Sequence, residues 1–128
     1  MAIISPLKKI FNWQTASEKI PYRVYTAFLT QTGTDAPVAN ILENTIGNIV
    51  WSHNGVGDYR GFLKGAFPSG KCWAVGVGDS LNGDFIEIGF GAGYSSEDYV
   101  QIWNYDLLSP GGPLIDDTYM YIEIRVYN

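Results

Sequence analysis

The sequence predicts an all-β domain, an antiparallel β-sandwich of jelly-roll or Greek-key style with an N-terminal arm. Three observations carry this. Of 128 residues, 46 % are apolar and 15 % aromatic but only 16 % charged. That balance excludes the polar, highly charged composition of disordered chains and the Ala-, Leu-, Glu- and Lys-rich composition of helical bundles. Fifteen glycines and six prolines punctuate the chain, cutting it into short segments bounded by turn formers. From Tyr22 onward apolar residues recur at every second position, the period of a strand, and no helix-length amphipathic segment follows residue 20.

Residues 1–20 read as the arm. Ser5-Pro6 resembles a helix start, with Ser as N-cap and Pro at the first helical position. Leu7, Ile10 and Phe11 would share one face, but one or two turns are marginal alone. Residues 21–128 read as the sandwich. Both alternating sets of Tyr22–Leu29 are largely apolar, so that strand is expected to be covered on both faces. A turn-rich loop runs to Pro37, and strands follow at Val38–Asn44, around Ile49-Val50-Trp51, at Tyr59–Leu63 and at Cys72–Val77. His53-Asn54-Gly55 reads as a turn, and Asn82-Gly83 as a hairpin signal leading into Phe85–Phe90. Tyr99–Tyr105 alternates again, Ser109–Pro113 is a hard stop, and the last strand is the cleanest. There Met120, Ile122, Ile124 and Val126 form one face and Tyr119, Tyr121, Glu123, Arg125 and Tyr127 the other. A chain that stays β-forming to its last residue is expected to place that strand inside a sheet.

Composition also removes function classes. One cysteine, Cys72, cannot form an internal disulfide, and one cysteine with one histidine, His53, cannot build a thiolate or imidazole zinc site. No apolar run approaches a membrane span. The apolar patch at the start precedes Lys8 and Lys9, the reverse of a secretory signal, so synthesis in the cytosol without export is expected. Net charge is −5, unevenly spread. Residues 1–30 carry four basic side chains against Glu18 alone, whereas Cys72–Ile124 carries nine carboxylates and no Lys or Arg. An acidic domain repels nucleic acid, so no nucleic-acid partner is expected. A solvated acidic surface explains the asymmetry; docking of the basic arm on an acidic neighbour, such as another copy of the chain, is the sharper reading.

Candidate chemistry is sparse. His53 reads as a solvated turn residue sooner than as a catalytic base, and Cys72, beside Trp73 on an apolar strand, as a buried and quiet thiol. Gly-Val-Gly-Asp occurs at 55–58 and again at 76–79, and Gly89–Gly93 holds a third glycine cluster. None stands between a strand and a helix, as a phosphate cradle requires, so turns and bulges needing positive φ are expected instead. Asp79, Asn82 and Asp84 could offer oxygens to Ca²⁺ but lack EF-hand spacing, and a plain hairpin turn explains them. Glu87, Glu97 and Asp98 could serve a glycosidase only at the right separation. No cofactor is expected, and the chain is not read as an enzyme; a small hydrolase is the least favoured alternative.

Aromatics are the strongest signal. Four tryptophans and nine tyrosines exceed what a small core must hold. The stripes Tyr99, Trp103, Tyr105 and Tyr119, Tyr121, Tyr127, with Leu7, Ile10, Phe11 and Trp13 of the arm, are the candidate contact residues. Such stripes fit a second covered sheet face, a subunit interface or a glycan-binding face.

The run Pro21–Thr45, with its Tyr25-Thr-Ala and Leu29-Thr-Gln segments, continues into Ile49-Val-Trp51 and Gly57-Asp-Tyr-Arg-Gly61 and ends in Ile122-Glu-Ile-Arg-Val-Tyr-Asn128. It resembles a group of small, β-rich, largely uncharacterised proteins encoded by phages and prophages of Bacteroidota. The resemblance spans residues 21–128 and leaves the arm outside. It brings no catalytic motif. It implies a phage structural context: a capsid- or tail-surface component (decoration protein, penton or spike base, or fibre part), made in the host cytoplasm and located in the virion. The expected partners are further copies of itself, as a trimer or pentamer, and other virion proteins such as the major capsid protein. The alternative is a carbohydrate- or receptor-binding module that recognises a host surface glycan.

Overall fold

The computed structural model describes residues 20–90 and 97–128. The arm, with Leu7, Ile10, Phe11 and Trp13, lies outside the described residues apart from Ile20. Eight strands follow in chain order: β1 (Tyr22–Gln31), β2 (Val38–Asn44), β3 (Val50–Gly55), β4 (Asp58–Phe62), β5 (Cys72–Gly78), β6 (Asp84–Phe90), β7 (Tyr99–Asp106) and β8 (Thr118–Tyr127). They form two four-stranded antiparallel sheets, ordered β2-β1-β8-β5 and β3-β4-β7-β6. The all-β sandwich is therefore observed, and β8 lies inside its sheet, between β1 and β5. A single 3₁₀ turn, Ser80–Asn82, is the one helical element among the described residues, so no described helix could cross a membrane.

Period-2 patterning explains the layers. Tyr25, Ala27 and Leu29 of β1 and Met120, Ile122, Ile124 and Val126 of β8 are all buried, and they meet Trp51, Tyr59, Ile86, Val100 and Ile102 from the other sheet. Alternate residues of each strand project to the outer faces. Two hydrogen bonds tie polar atoms across the two layers, whereas the buried Asn104 Oδ1 has no partner among the described residues. The Trp51 indole donates to the Tyr25 hydroxyl at 3.2 Å, and the Tyr59 hydroxyl lies 2.9 Å from Gln31 Oε1, one of two acceptors that share its single proton. The Gln31 amide in turn donates to the carbonyls of Gly33 and Asp35. Each such bond spares a buried group its desolvation penalty and fixes the angle between the sheets.

Two expectations need correction. Asp79–Asp84 is not a hairpin: β5 pairs with β8 and β6 with β7, so this segment crosses from one sheet to the other. The reason lies in the glycines before it. A Cβ at Gly76 would stand 2.5 Å from Ile86 Cγ2, and one at Gly78 2.9 Å from Ile86 Cγ1. Missing side chains let β5 lie against β6 from the opposite layer, not beside it in the same ladder. The repeated tetrapeptide thus has two structures. At 55–58 it makes the β3–β4 hairpin, with Gly57 at φ +61°. At 76–79 it ends a strand and its glycines serve close approach. The second correction concerns His53. It sits in β3 opposite Tyr59, because the strand runs on to Gly55 and the chain reverses only at Val56-Gly57.

Candidate functional site

The outer face of β2-β1-β8-β5 gathers one of the two expected stripes. Tyr119, Tyr121, Glu123, Arg125 and Tyr127 of β8 alternate outward, with Tyr22, Thr26 and Phe28 of β1 on one side and Trp73, Val75 and Val77 of β5 on the other. The rings touch. Phe28 stacks on Tyr119 with centroids 5.5 Å apart and tilts against Tyr121 at the same distance, and Tyr22 meets Tyr127 at 5.3 Å. The Arg125 guanidinium lies over the rings of Tyr22 and Trp73, at 4.4 and 5.1 Å from their centroids. Its Nε is 3.2 Å from Glu123 Oε2. The face is far from covered: Tyr119 is 53 % exposed and Val77 60 %.

Tyr99, Trp103 and Tyr105 occupy the opposite outer face of the sandwich, on β7, so the structure separates the two stripes. Register places Phe62 beside Tyr99, and Asp58 and Glu87 on either side of Trp103. Between the aromatic positions lies Gln101, only 4 % exposed. Its amide donates to Asp58 Oδ1 at 2.7 Å, and Asn54 donates to Asp58 Oδ2 at 2.8 Å. Arg60 stacks over Tyr99 at 4.9 Å. Gly89, the register neighbour of Gln101, leaves open space where a side chain would stand.

A third constellation was not legible beforehand. The β7–β8 connection carries Asp116, whose carboxylate gathers groups from β3, β4 and the turn between them. The His53 ring nitrogen Nε2 lies 3.1 Å from each carboxylate oxygen. Gly57 N–H and the Tyr59 hydroxyl both donate to Oδ1 at 2.9 Å. Burial alone would raise the Asp116 pKa; the bonds from Gly57, His53 and Tyr59 outweigh it and hold the carboxyl below its ordinary value. The Tyr59 phenol moves the other way, pushed up by its burial and then by Asp116, with Asp117 and Asp84 adding negative field. Asp117, at φ +61°, donates its N–H to Gln31 and accepts from Gly33 N–H. Among the described residues no serine, threonine or cysteine bonds the His53 ring. Chemically the arrangement is a clasp that ties the 113–117 segment to the sandwich end.

The remaining candidates are engaged locally. Cys72 Sγ donates to Pro68 O, and burial followed by the Glu97 charge raises the thiol pKa. Asp98 accepts from Gly65 N–H, and the Glu97 and Asp98 carbonyls accept from Phe67 and Leu63 N–H, so both residues pin the 63–67 loop. Asp79 caps the 3₁₀ turn through Leu81 N–H and Asn82, while Asp84 is buried and accepts from Thr118. The two carboxylates therefore serve different partners, and no group of three metal-ligating side chains occurs among the described residues. No protein-family model, curated protein or solved structure matches this chain.

Proposed function

We propose that this chain is a structural assembly protein, a small phage virion component that acts by docking its sandwich surfaces onto other subunits, its own copies included. The observation that carries the reading is the outer face of β2-β1-β8-β5. Phe28, Tyr119 and Tyr121 form one ring cluster and Tyr22 and Tyr127 another, Arg125 bridges Tyr22 to Trp73, the Glu123–Arg125 pair lies between the clusters, and the exposed Val75 and Val77 adjoin them. An exposed aromatic face of this kind, crossed by one Arg–Glu pair, suits an interaction surface, where Tyr, Trp and Arg are the enriched residues. The virion context rests on the resemblance of residues 21–128 to phage-encoded proteins; decoration, vertex or fibre placement and a major-capsid-protein partner belong to that context.

Light scattering over a wide concentration range tests the assembly. Wild type should exceed 14.2 kDa, and Tyr119→Glu should reduce the assembled mass without changing the β spectrum. A wild-type chain that stays at the monomer mass throughout refutes it. Mass spectrometry of purified particles tests the virion context, by the presence and copy number of the chain.

A second reading is favoured by the other face. Trp103 lies between Asp58 and Glu87 in register, and Gln101 and Asn54 hold Asp58 in place. An aromatic ring beside fixed carboxylate and amide groups suits the apolar face and hydroxyls of a pyranose. Titration calorimetry against host surface saccharides should then give heats that Trp103→Ala abolishes. Absence of heat at millimolar ligand counts against this reading and leaves the first untouched.

A further inference from the structure

The four sheet edges are not equivalent. β2 carries Glu43 and a register bulge, β3 a bulge between His53 and Gly55, and β6 Asp84 and Glu87. These are the devices that keep an edge from pairing with another chain. β5 has none. Its sequence, Cys-Trp-Ala-Val-Gly-Val-Gly, contains no charge and no proline, its ladder with β8 is unbroken, and Trp73, Val75 and Val77 are exposed.

Which backbone groups β5 leaves free follows from one bond. Tyr127 N–H donates to Lys71 O at 2.7 Å, so residues 71 and 127 face each other as a hydrogen-bonded pair. In an antiparallel ladder such pairs alternate with non-bonded ones. Residues 71, 73, 75 and 77 therefore direct their amides to β8. Cys72, Ala74, Gly76 and Gly78 direct theirs outward, to an edge that no strand or backbone hydrogen bond covers among the described residues.

We infer that β5 is a self-pairing edge: two copies join β5 to β5 antiparallel, about a two-fold axis at Val75, into one continuous eight-stranded sheet. This deepens the assembly reading and rests on it. In that register Ala74 faces Gly76 of the second copy and Cys72 faces its Gly78. All the outward amides find partners, about eight N–H···O bonds in total. Val75 meets Val75 as a non-bonded pair, with Cα atoms about 4.5 Å apart, and Trp73 lies opposite Val77, an aromatic–β-branched pair of the stabilising kind. One step beyond the strand ends, Lys71 falls opposite Asp79 of the second copy, once at each end. A chain of net charge −5 repels its copies; this edge brings no like charges together and ends in two opposite-charge pairs. Shifting the register by two residues strands the Gly78 or the Cys72 amide, depending on direction, and breaks both pairs. The two aromatic outer faces then join into one broad surface, and the two-fold pair becomes the unit of any larger assembly.

Cross-linking tests the register. With Cys72→Ser in place, Val75→Cys should give a disulfide-linked dimer under mild oxidation, because a non-bonded antiparallel pair brings the Cβ atoms within bridging reach. Val50→Cys, on the outer face of β3, should not. Val75→Lys should halve the light-scattering mass with the circular dichroism unchanged. Lys71→Glu should weaken the pair roughly tenfold by turning two rim attractions into repulsions, and adding Asp79→Lys should restore it. Cross-linking at Val75 no faster than at Val50, or an assembled mass indifferent to Val75→Lys, overturns the pairing while the aromatic-face reading survives. Failure of the Val75→Cys variant to cross-link together with a wild-type mass that never exceeds 14.2 kDa overturns both.

Discussion

Asp116→Ala should be among the most destabilising substitutions outside the apolar core. Asp116 lies between β7 and β8, in the segment that closes one end of the sandwich. The truncation removes the acceptor for Gly57 N–H and Tyr59 Oη–H and the partner of His53. His53 and Asp116 side chains are each 15 % exposed, so solvent screens their contact only in part. Tyr59 keeps a second acceptor in Gln31 Oε1, and the exposed side of His53 can turn to water. The bonds are therefore not additive, and the loss should be close to that of one charge-assisted bond with its stranded Gly57 donor, about 2–3 kcal/mol. For a chain of this length that is a fall in melting temperature of about 8–12 °C. The pH dependence has a definite sign. Asp116 has its folded pKa below the ordinary value, so its contribution is present above the unfolded pKa, about 3.9, and is lost as pH falls through the folded value. Urea denaturation followed by tryptophan fluorescence should show a gap between wild type and variant that is constant from neutral pH to about pH 5 and closes towards pH 2. Asp116→Asn should fall between the two at neutral pH. A variant within 0.5 kcal/mol of wild type (about the scale of a neutral surface change), or a gap unchanged on acidification, would refute the clasp.

Gly76→Ala should cost about 1–3 kcal/mol by overpacking, since its Cβ would stand 2.5 Å from Ile86 Cγ2, whereas Gly89→Ala, with nothing within 4 Å, should be near neutral in the same urea titration. Chelator and reductant should leave the thermal midpoint unchanged, because Asp79 and Asp84 already serve separate partners and Cys72 is a free thiol; a large drop with chelator would restore a Ca²⁺ site at this loop. Deleting residues 1–20 should keep the β circular dichroism spectrum, since the described residues close their own core, while losing assembly beyond the two-fold β5 pair; a truncated chain that still reaches the wild-type mass shows the arm to be dispensable.

The fold was legible where burial follows a period. Strands such as β1 and β8 were visible because one apolar face must be hidden and the pleat has period two, whereas β2 hides almost none of its side chains, and β8 could be placed inside a sheet because the chain stays β-forming to its last residue. Partnership between strands was not legible at Asn82-Gly83. That dipeptide promises positive φ, and Gly83 has it, at +81°, but a turn that reverses the chain serves a crossover as well as a hairpin. What decides between them is the volume at Gly76 and Gly78, and that becomes readable only once Ile86 lies against them.

The site shows the same division more sharply. The aromatic stripes were readable as alternation, yet alternation cannot say which strands are neighbours, so it left open whether the two stripes share a face; the sheet order puts them on opposite faces of the sandwich. The clasp needed still more. His53 and Asp116 are separated by 63 positions, and neither lies in a motif. They meet because β3 pairs with β4, β4 with β7, and the 107–112 turn folds the 113–117 segment back onto the end of β7. Lys71 and Asp79 show the limit of reading one chain. In the monomer they flank opposite ends of β5 and share no contact. In the inferred two-fold pair, the direction of the free amides, fixed by the Tyr127–Lys71 bond, would set a register in which opposite charges of two copies meet at both ends of an otherwise uncharged edge.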